Sequence, residues 1–238
     1  MKKISLLFLA ILMICCSETE STHVTANQDI QKFPSKITYG GGDLVNTYDL
    51  TYDTRHRLRR VVETSDSMEI GFIIVFTYDE NDRLILIDWT GEFPLTLEFT
   101  YDQDGRLASY IQNGLEPRLV YYDQGVYNMP IGSDNLHAFT EFNDLAMTNN
   151  GNTVSYNYSE INYGAFKDVV GNFELFNLFC DHFFRLFATR MPLSSITTTA
   201  PVQIIGTFSN IYDAQGYVTN FTCTSSHGQT LGSIIYGE

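Results

Sequence analysis

Tyr101-Asp102-Gln103-Asp104-Gly105-Arg106-Leu107 is a hairpin written into seven residues, and the chain repeats it. Tyr52-Asp53-Thr54-Arg55-His56-Arg57-Leu58 and Tyr78-Asp79-Glu80-Asn81-Asp82-Arg83-Leu84 are earlier copies, and Tyr212-Asp213-Ala214-Gln215-Gly216-Tyr217-Val218 is a looser later one. Tyr122-Asp123-Gln124-Gly125-Val126 is shorter by one residue. The first three copies start 26 and 23 residues apart, close to two strands and their two turns. Ahead of the third copy Leu97, Phe99 and Tyr101 alternate with Thr96, Glu98 and Thr100, the period of a half-buried strand. Asp102, like Asp53, Asp79 and Asp213, stands where its carboxylate can accept backbone amides ahead of it. Gly105 and Gly216 stand where a turn needs positive φ. After the turn, Leu107, Ser109 and Ile111 are expected on one face of the return strand. The unit therefore predicts a meander of antiparallel hairpins.

Two segments interrupt the meander. Asp134 to Asn150 is polar and mixed, and reads as a short helix and a loop. In Asn172 to Arg190 the residues Phe176, Phe179, Cys180, Phe183 and Phe187 recur every three or four positions. Glu174, Asn177, Asp181, Arg185 and Thr189 recur in the same way on the opposite side. That spacing predicts an amphipathic helix, stopped by Arg190 and Pro192, whose phenylalanine stripe covers the concave side of a curved sheet. Asn152–Tyr158, 202–208, 218–224 and 233–236 supply later strands. The fold class expected is all-β, a large curved or closed antiparallel meander with one helix over about 172–190.

The first residues have another character. Lys2 and Lys3 precede the apolar run Ile4 to Ile14, which suits an export signal and is too short for a bilayer span of about 20 residues. Leu12-Met13-Ile14-Cys15-Cys16-Ser17 resembles the lipobox of bacterial lipoproteins. Cys16 is the expected acylation site, because cleavage before it leaves small Cys15 at the cut. Ser17-Glu18-Thr19-Glu20 is similar to the acidic tag on exported surface lipoproteins of Bacteroidota-type bacteria. Residues 1–15 are thus expected to be a signal peptide, 16–34 a polar tether and 35–238 a single β domain. Acyl chains, at about 0.8 kcal/mol per buried methylene, would hold it on a membrane without a spanning helix.

Losing Lys2 and Lys3 leaves 12 basic against 28 acidic side chains, a net charge of −16. That balance disfavours nucleic acid and anionic headgroups, both of which need clustered Lys and Arg. Cys180 and Cys223 remain after processing. Their pairing is left open by the sequence, and the apolar setting of Cys180 favours a packed thiol.

The lipobox, the Tyr-Asp hairpins, the apolar helix and the closing Ile211-Tyr212-Asp213-Ala214-Gln215-Gly216-Tyr217-Val218 together resemble a Bacteroidota lipoprotein family of unknown function with a porin-like fold. The resemblance covers the chain from about residue 35 onward. It implies a long sheet curled into a partial or complete barrel, carries no assigned activity, and places the protein at the outer membrane. The Tyr-Asp units are also similar to Rhs-type YD repeats, although two of the first three lack the glycine.

No Gly-x-Ser-x-Gly elbow, His-Glu-x-x-His helix or phosphate-binding glycine loop is present. His23, His56, His137, His182 and His227 are scattered. Asp102 to Gly105 and Asp79 to Asp82 are oxygen-rich, but neither has the later glutamate of a calcium loop, and turn chemistry accounts for them. No catalytic residue, metal or cofactor is expected. Trp89, Tyr110 and Tyr121 are the candidates for stacking on a sugar, with packing of Trp89 against Ile85 and Ile87 as the competing reading. The function expected is a lipid-anchored, surface-exposed binding or structural module for a glycan or a partner protein. A glycoside hydrolase, whose paired carboxylates leave no sequence signature, and an outer-membrane β-barrel are the alternatives.

Overall fold

A computed structural model describes residues 30–41, 44–66, 68–92, 94–131, 135–140, 144–149, 152–173, 175, 187–198, 206–226 and 228–237. Cys16 and the segments assigned to the signal peptide and most of the tether lie outside these residues. The first strands are β1 (Pro34–Gly41), β2 (Leu44–Tyr52), β3 (Leu58–Ser65), β4 (Met68–Tyr78), β5 (Leu84–Gly91), β6 (Leu95–Tyr101), β7 (Leu107–Gln112), β8 (Arg118–Leu119) and β9 (Tyr121–Asp123). The remainder are β10 (Val126–Ile131), β11 (Asn135–Phe139), β12 (Asp144–Asn149), β13 (Asn152–Tyr158), β14 (Leu193–Thr198), β15 (Gly206–Tyr212), β16 (Val218–Ser225) and β17 (Gly228–Tyr236).

The strands form one antiparallel meander. Each of β1 to β7 pairs with its successor, and so does each of β9 to β16. The meander also returns on itself, because β1 pairs with β17 from Pro34↔Tyr236 to Gly40↔Leu231. Neither chain-terminal strand is therefore left as an exposed edge. The ring has a seam and is not a fully closed barrel. Across Arg118–Asp123 the first two residues pair with β7 and the last three with β10, with no ladder between β8 and β9.

Every Tyr-Asp turn lies at the same end of the ring: the turns join β2 to β3, β4 to β5, β6 to β7, β9 to β10 and β15 to β16, with β8 and β9 running in line as one strand. The aspartate acts as read from the sequence. Asp79 Oδ1 accepts the amides of Asn81 and Arg83 at 2.9 Å each, and Asp102 Oδ1 those of Asp104 and Arg106 at 3.0 and 2.8 Å. Asp53 and Asp213 repeat the pattern. The third residue after each aspartate is left-handed: His56 (φ 62°), Asp82 (62°), Gly105 (80°) and Gly216 (88°). In the shortened copy Gln124 (49°) and Gly125 (87°) give two successive positive φ values, the signature of a tight two-residue hairpin turn.

The repeated arginine links neighbouring turns. Arg57 lies 5.1 Å from the Tyr78 ring centroid, Arg83 4.7 Å from Tyr101 and Arg106 4.8 Å from Tyr122, so each guanidinium covers the tyrosine of the next copy. In the fourth copy Tyr217 occupies the arginine position. Lys32 takes over the charge there, with Nζ 2.5 Å from Asp213 and within 5.4 and 5.7 Å of the Tyr217 and Tyr236 rings. Tyrosine hydroxyls tie the turns together. Tyr52, Tyr101 and Tyr236 donate to the carbonyls of Pro34, Leu84 and Val218 at 2.8, 2.6 and 2.7 Å.

The return strands differ from the sequence expectation at one recurrent point. Leu107 is buried together with Tyr110, not with Ser109 and Ile111. Leu58 with Val61, Leu84 with Ile87, and Val218 with Phe221 show the same spacing of three. The ladder explains it. Tyr101 pairs with Leu107 but Thr100 pairs with Ser109, so Ala108 bulges, and Arg59, Ile85 and Thr219 bulge at the equivalent points. One extra residue switches every following side chain to the other face.

One further expectation is corrected. Residues 135–139 and 144–149 are strands, not a helix and a loop. In β11 the inward positions are His137 and Phe139, 3% and 5% exposed, while Leu136 faces out at 41%. Polarity there runs against the usual inside–outside pattern, so alternation gave no usable signal. Leu193–Thr198 is a strand that the sequence reading omitted. The helix expected over 172–190 falls mostly outside the described residues, Phe176, Phe179, Cys180 and Phe183 among them; of the described ones, Phe173 and Leu175 have 3-10 and Phe187 α-helical backbone. Phe187 is buried, its ring 5.3 Å from Tyr48 and about 6 Å from Tyr39 and Phe221. Thr189, placed on the polar side, is buried at 5% exposure. The long connection 159–192 between β13 and β14 thus supplies core residues Ala165, Phe166, Val169, Phe173, Leu175 and Phe187. Cys223 is a free thiol, and burial pushes its pKa up.

Two predictions follow from the turns. Gly105→Ala should lower stability by about 1 kcal/mol from the left-handed backbone alone. A Cβ there would meet only Arg83 Nη1, at 3.6 Å. Gly105→Asn should cost visibly less in the same urea melts, and equal losses would contradict a backbone origin. Burial acts to raise the carboxyls of Asp53, Asp79 and Asp213, but amide, Arg57, Arg83 and Lys32 hydrogen bonds outweigh it and hold all three below the ordinary 3.8. A depressed folded pKa gives stability that is complete above 3.8 and lost as the pH falls through the lower folded values. Unfolding free energy should therefore drop steeply in that acid range, and Asp79→Asn should flatten the drop.

Candidate functional site

The turns do more than reverse the chain. Connection 159–192 leaves and re-enters the ring at the turn end, and its described residues lie against the turns. The Val170 amide donates to His56 O at 3.0 Å, the Tyr163 amide to Gly216 O at 3.0 Å, and the Val218 amide to Tyr163 O at 3.2 Å. Asn172 links two hairpins at once. Its Oδ1 accepts the Leu84 amide at 2.6 Å and its Nδ2 donates to the Tyr101 hydroxyl at 2.8 Å. Burial pushes the Tyr101 phenol up, only partly offset by Asn172, so Tyr101 stays protonated and donates to Leu84. Asp168 Oδ2 accepts the Lys32 amide at 2.8 Å and the Tyr217 hydroxyl. Arg190 donates to the carbonyls of Gly171 (2.6 Å) and Lys167 (3.4 Å), closing the two ends of the connection on each other.

A cleft of about 540 Å³ opens between this connection and the turns. One wall is the second and third turns, with Asn81, Asp82, Arg83, Gly105 and Leu107. Tyr101, Tyr127 and Phe139 form an aromatic side, Tyr127 and Phe139 stacked with centroids 5.1 Å apart and planes at 17°. The facing wall is Lys167 to Asn172 with Leu175 and Arg190, and Gln31 and Thr140 complete the lining. The volume lies within the usual 300–1,000 Å³ of ligand pockets, and rings beside fixed amide and hydroxyl groups are the composition of such pockets.

The sequence candidates fall elsewhere. Trp89 is half-buried near the opposite end of β5, its ring 4.9 Å from Phe72. It shares a face with Ile87, while the bulge at Ile85 brings Leu84 onto that face instead. Tyr110 is fully buried and donates to Pro130 O at 2.6 Å. Tyr121 is 62% exposed on the outside. The three are not gathered on one surface. The turn residues Asp79, Asp102 and Gly105 are the candidates that lie beside the cleft or line it. Asp53, Asp79, Asp102 and Asp213 spend their oxygens on turn amides, and the described residues contain no group of three or more potential metal ligands. Lys167, Asn172 and Arg190 were missed. The available signal was that residues 159–192 form the longest interruption between recognisable hairpins. Tyr101 was seen only as part of a turn.

The geometry defines an all-β protein, an antiparallel meander bent into a ring with a capped turn end. Two porin-like proteins of solved structure are similar to this chain. One, from Bacteroides uniformis ATCC 8492, is 10% identical, with a TM-score of 0.45, over 86% of this chain and 98% of its own. Another, from Bacteroides vulgatus ATCC 8482, is 12% identical, with a TM-score of 0.30, over 87% and 99%. No protein-family model matches the sequence, nor does any curated protein.

Proposed function

We propose that the protein is a non-catalytic surface module, anchored at the outer membrane through acylated Cys16, that binds a glycan in the turn-end cleft. The carrying observation is the cleft itself, where the stacked Tyr127–Phe139 pair faces polar groups already fixed by hydrogen bonds. Sugar rings bind to such surfaces by laying an apolar face on an aromatic ring and satisfying hydroxyls at its edge. The cleft carboxylates favour binding over hydrolysis. Asp82 is engaged by Arg55 and Arg57 at 2.5 and 3.1 Å, and Asp168 by Lys32 and Tyr217, so both are occupied in holding the fold. The outer face of the ring supports a tether over an inserted barrel. Arg59, Arg60, Asp88 and Glu98 are exposed on it, where a lipid-facing band would be apolar.

Two measurements test the reading. A glycan array probed with the mature protein should give saturable binding that Tyr127→Ala removes while the melting curve is kept. A blank array, or binding indifferent to Tyr127, refutes the site. Labelled palmitate should enter the wild-type chain and not Cys16→Ala. Equal labelling ends the anchor.

A further inference from the structure

The charge of the cleft runs against that of the chain. The whole sequence carries −14, yet the cleft wall holds Arg83, Lys167 and Arg190 against Asp82 and Asp168. Most of these groups are already committed. Arg83 is 2.6 Å from Asp79, Asp82 serves Arg55 and Arg57, and Asp168 takes two hydrogen bonds. Arg190 lays its guanidinium along the backbone of Gly171 and Lys167. Lys167 differs. Among the described residues no carboxylate pairs with it, and its ammonium sits 3.6 Å above the Tyr163 ring and 5.5 Å from Tyr217. A tyrosine face orients an ammonium without neutralising it. Lys167 and Arg190 both line the cleft, so two positive side chains stand on one wall.

Resting on the glycan reading above, we infer that the ligand is an acidic saccharide, and that Lys167 receives the carboxylate of its uronic-acid residue. A carboxylate fits this place for three reasons. The Lys167 ammonium has no carboxylate partner among the described residues and is held by a ring that leaves its charge in place. The Arg190 charge lies along the same wall. The acidic surface elsewhere repels an anion, so the attraction is local to the cleft. A neutral sugar would leave Lys167 as it is and gain nothing from it, so the inference concerns which glycans bind, not whether any do.

The test uses the mature protein on an array printed with trigalacturonate and galactotriose, a matched acidic and neutral pair. Trigalacturonate should bind at least about tenfold more tightly, with a preference that shrinks as salt is raised. Lys167→Met should bring the two ligands together, and Lys167→Arg should keep most of the preference. Unchanged thermal melting of both variants separates lost recognition from lost folding. Equal binding of the two sugars by the wild type overturns the inference and leaves glycan binding standing. An acid preference that survives Lys167→Met overturns it as well. A blank array is a different failure, that of the glycan reading itself.

Discussion

Replacing Gly164 by alanine should unseat connection 159–192 and remove the cleft with it. A Cβ at this position would lie 2.2 Å from Thr189 O, 2.8 Å from Arg190 C and 2.9 Å from Met191 N. All three are backbone atoms, so no side chain can rotate away to make room. The same place carries the hydrogen bonds that close the connection, from the Gly164 amide to Arg190 O at 2.8 Å and from the Phe166 amide to Thr189 O at 3.1 Å. Separating these strands of chain also frees Arg190 from Gly171 and Lys167, and through them the wall that faces the turns. A loss of about 3 kcal/mol or more is expected, at the upper end of single substitutions, because packing and hydrogen bonds are lost together. Denaturant melts measure it, and the variant should bind no glycan even at temperatures where it remains folded. Gly206→Ala is the control. A Cβ there meets Ile196 and Cys223 at 3.8 and 3.9 Å, ordinary contact distances, so little change is expected. Equal losses at both sites would mean that the approach of residue 164 to 189–191 is not what holds the connection.

The second large effect lies in the ring. Phe221 on β16 pairs across the ladder with Gly232 on β17, and its ring lies directly over the glycine. A Cβ on residue 232 would fall 2.0 Å from Cζ of Phe221. That ring is hemmed in by Tyr39 at 6.2 Å and Phe187 at 6.1 Å, so Gly232→Ala forces it into occupied core. Overpacking of this kind costs about 1–3 kcal/mol and more when the displaced group is a buried ring. The diagnostic measurement is a double-mutant cycle. Phe221→Leu alone should destabilise, but combined with Gly232→Ala it should recover part of the loss, giving a favourable coupling energy. Simple additivity of the two would contradict the stacked arrangement.

These positions show what kind of information the sequence carries. The Tyr-Asp turns were legible because their chemistry is local. An aspartate accepting the amides two and four residues on, and a left-handed third residue, need nothing beyond seven consecutive side chains. The parity of the return strands was not legible, since the bulge at Arg59, Ile85, Ala108 and Thr219 is set by how two strands pair. Leu58 and Val61, three apart, would have disclosed it had the spacing been compared across copies. The cover of Tyr78 by Arg57 and of Tyr101 by Arg83 joins residues about twenty positions apart, so the repeat was visible while the reason for its arginine was not. Strands 135–139 and 144–149 were hidden by His137 on an inner face and Leu136 on an outer one. The cleft was the least legible feature. Lys167, Asn172 and Arg190 belong to no repeat, and they acquire a role only when the connection folds onto the turns. Trp89, the single tryptophan, drew attention for its type, but its place beside Phe72 near the far end of the ring leaves it away from the cleft.

Hydrogen exchange of the mature protein, followed peptide by peptide, bears on the ring and its cap together. If β1 pairs on both sides and connection 159–192 is bonded to the turns, peptides spanning 34–41 and 228–236 should be protected as strongly as 58–65 in the middle of the meander. Peptides containing Tyr163 and Val170 should be slow as well. Rapid exchange of alternate amides in 34–41 and 228–236, or of Tyr163 and Val170 while β3 stays protected, would mean an open sheet with an unseated connection and no cleft.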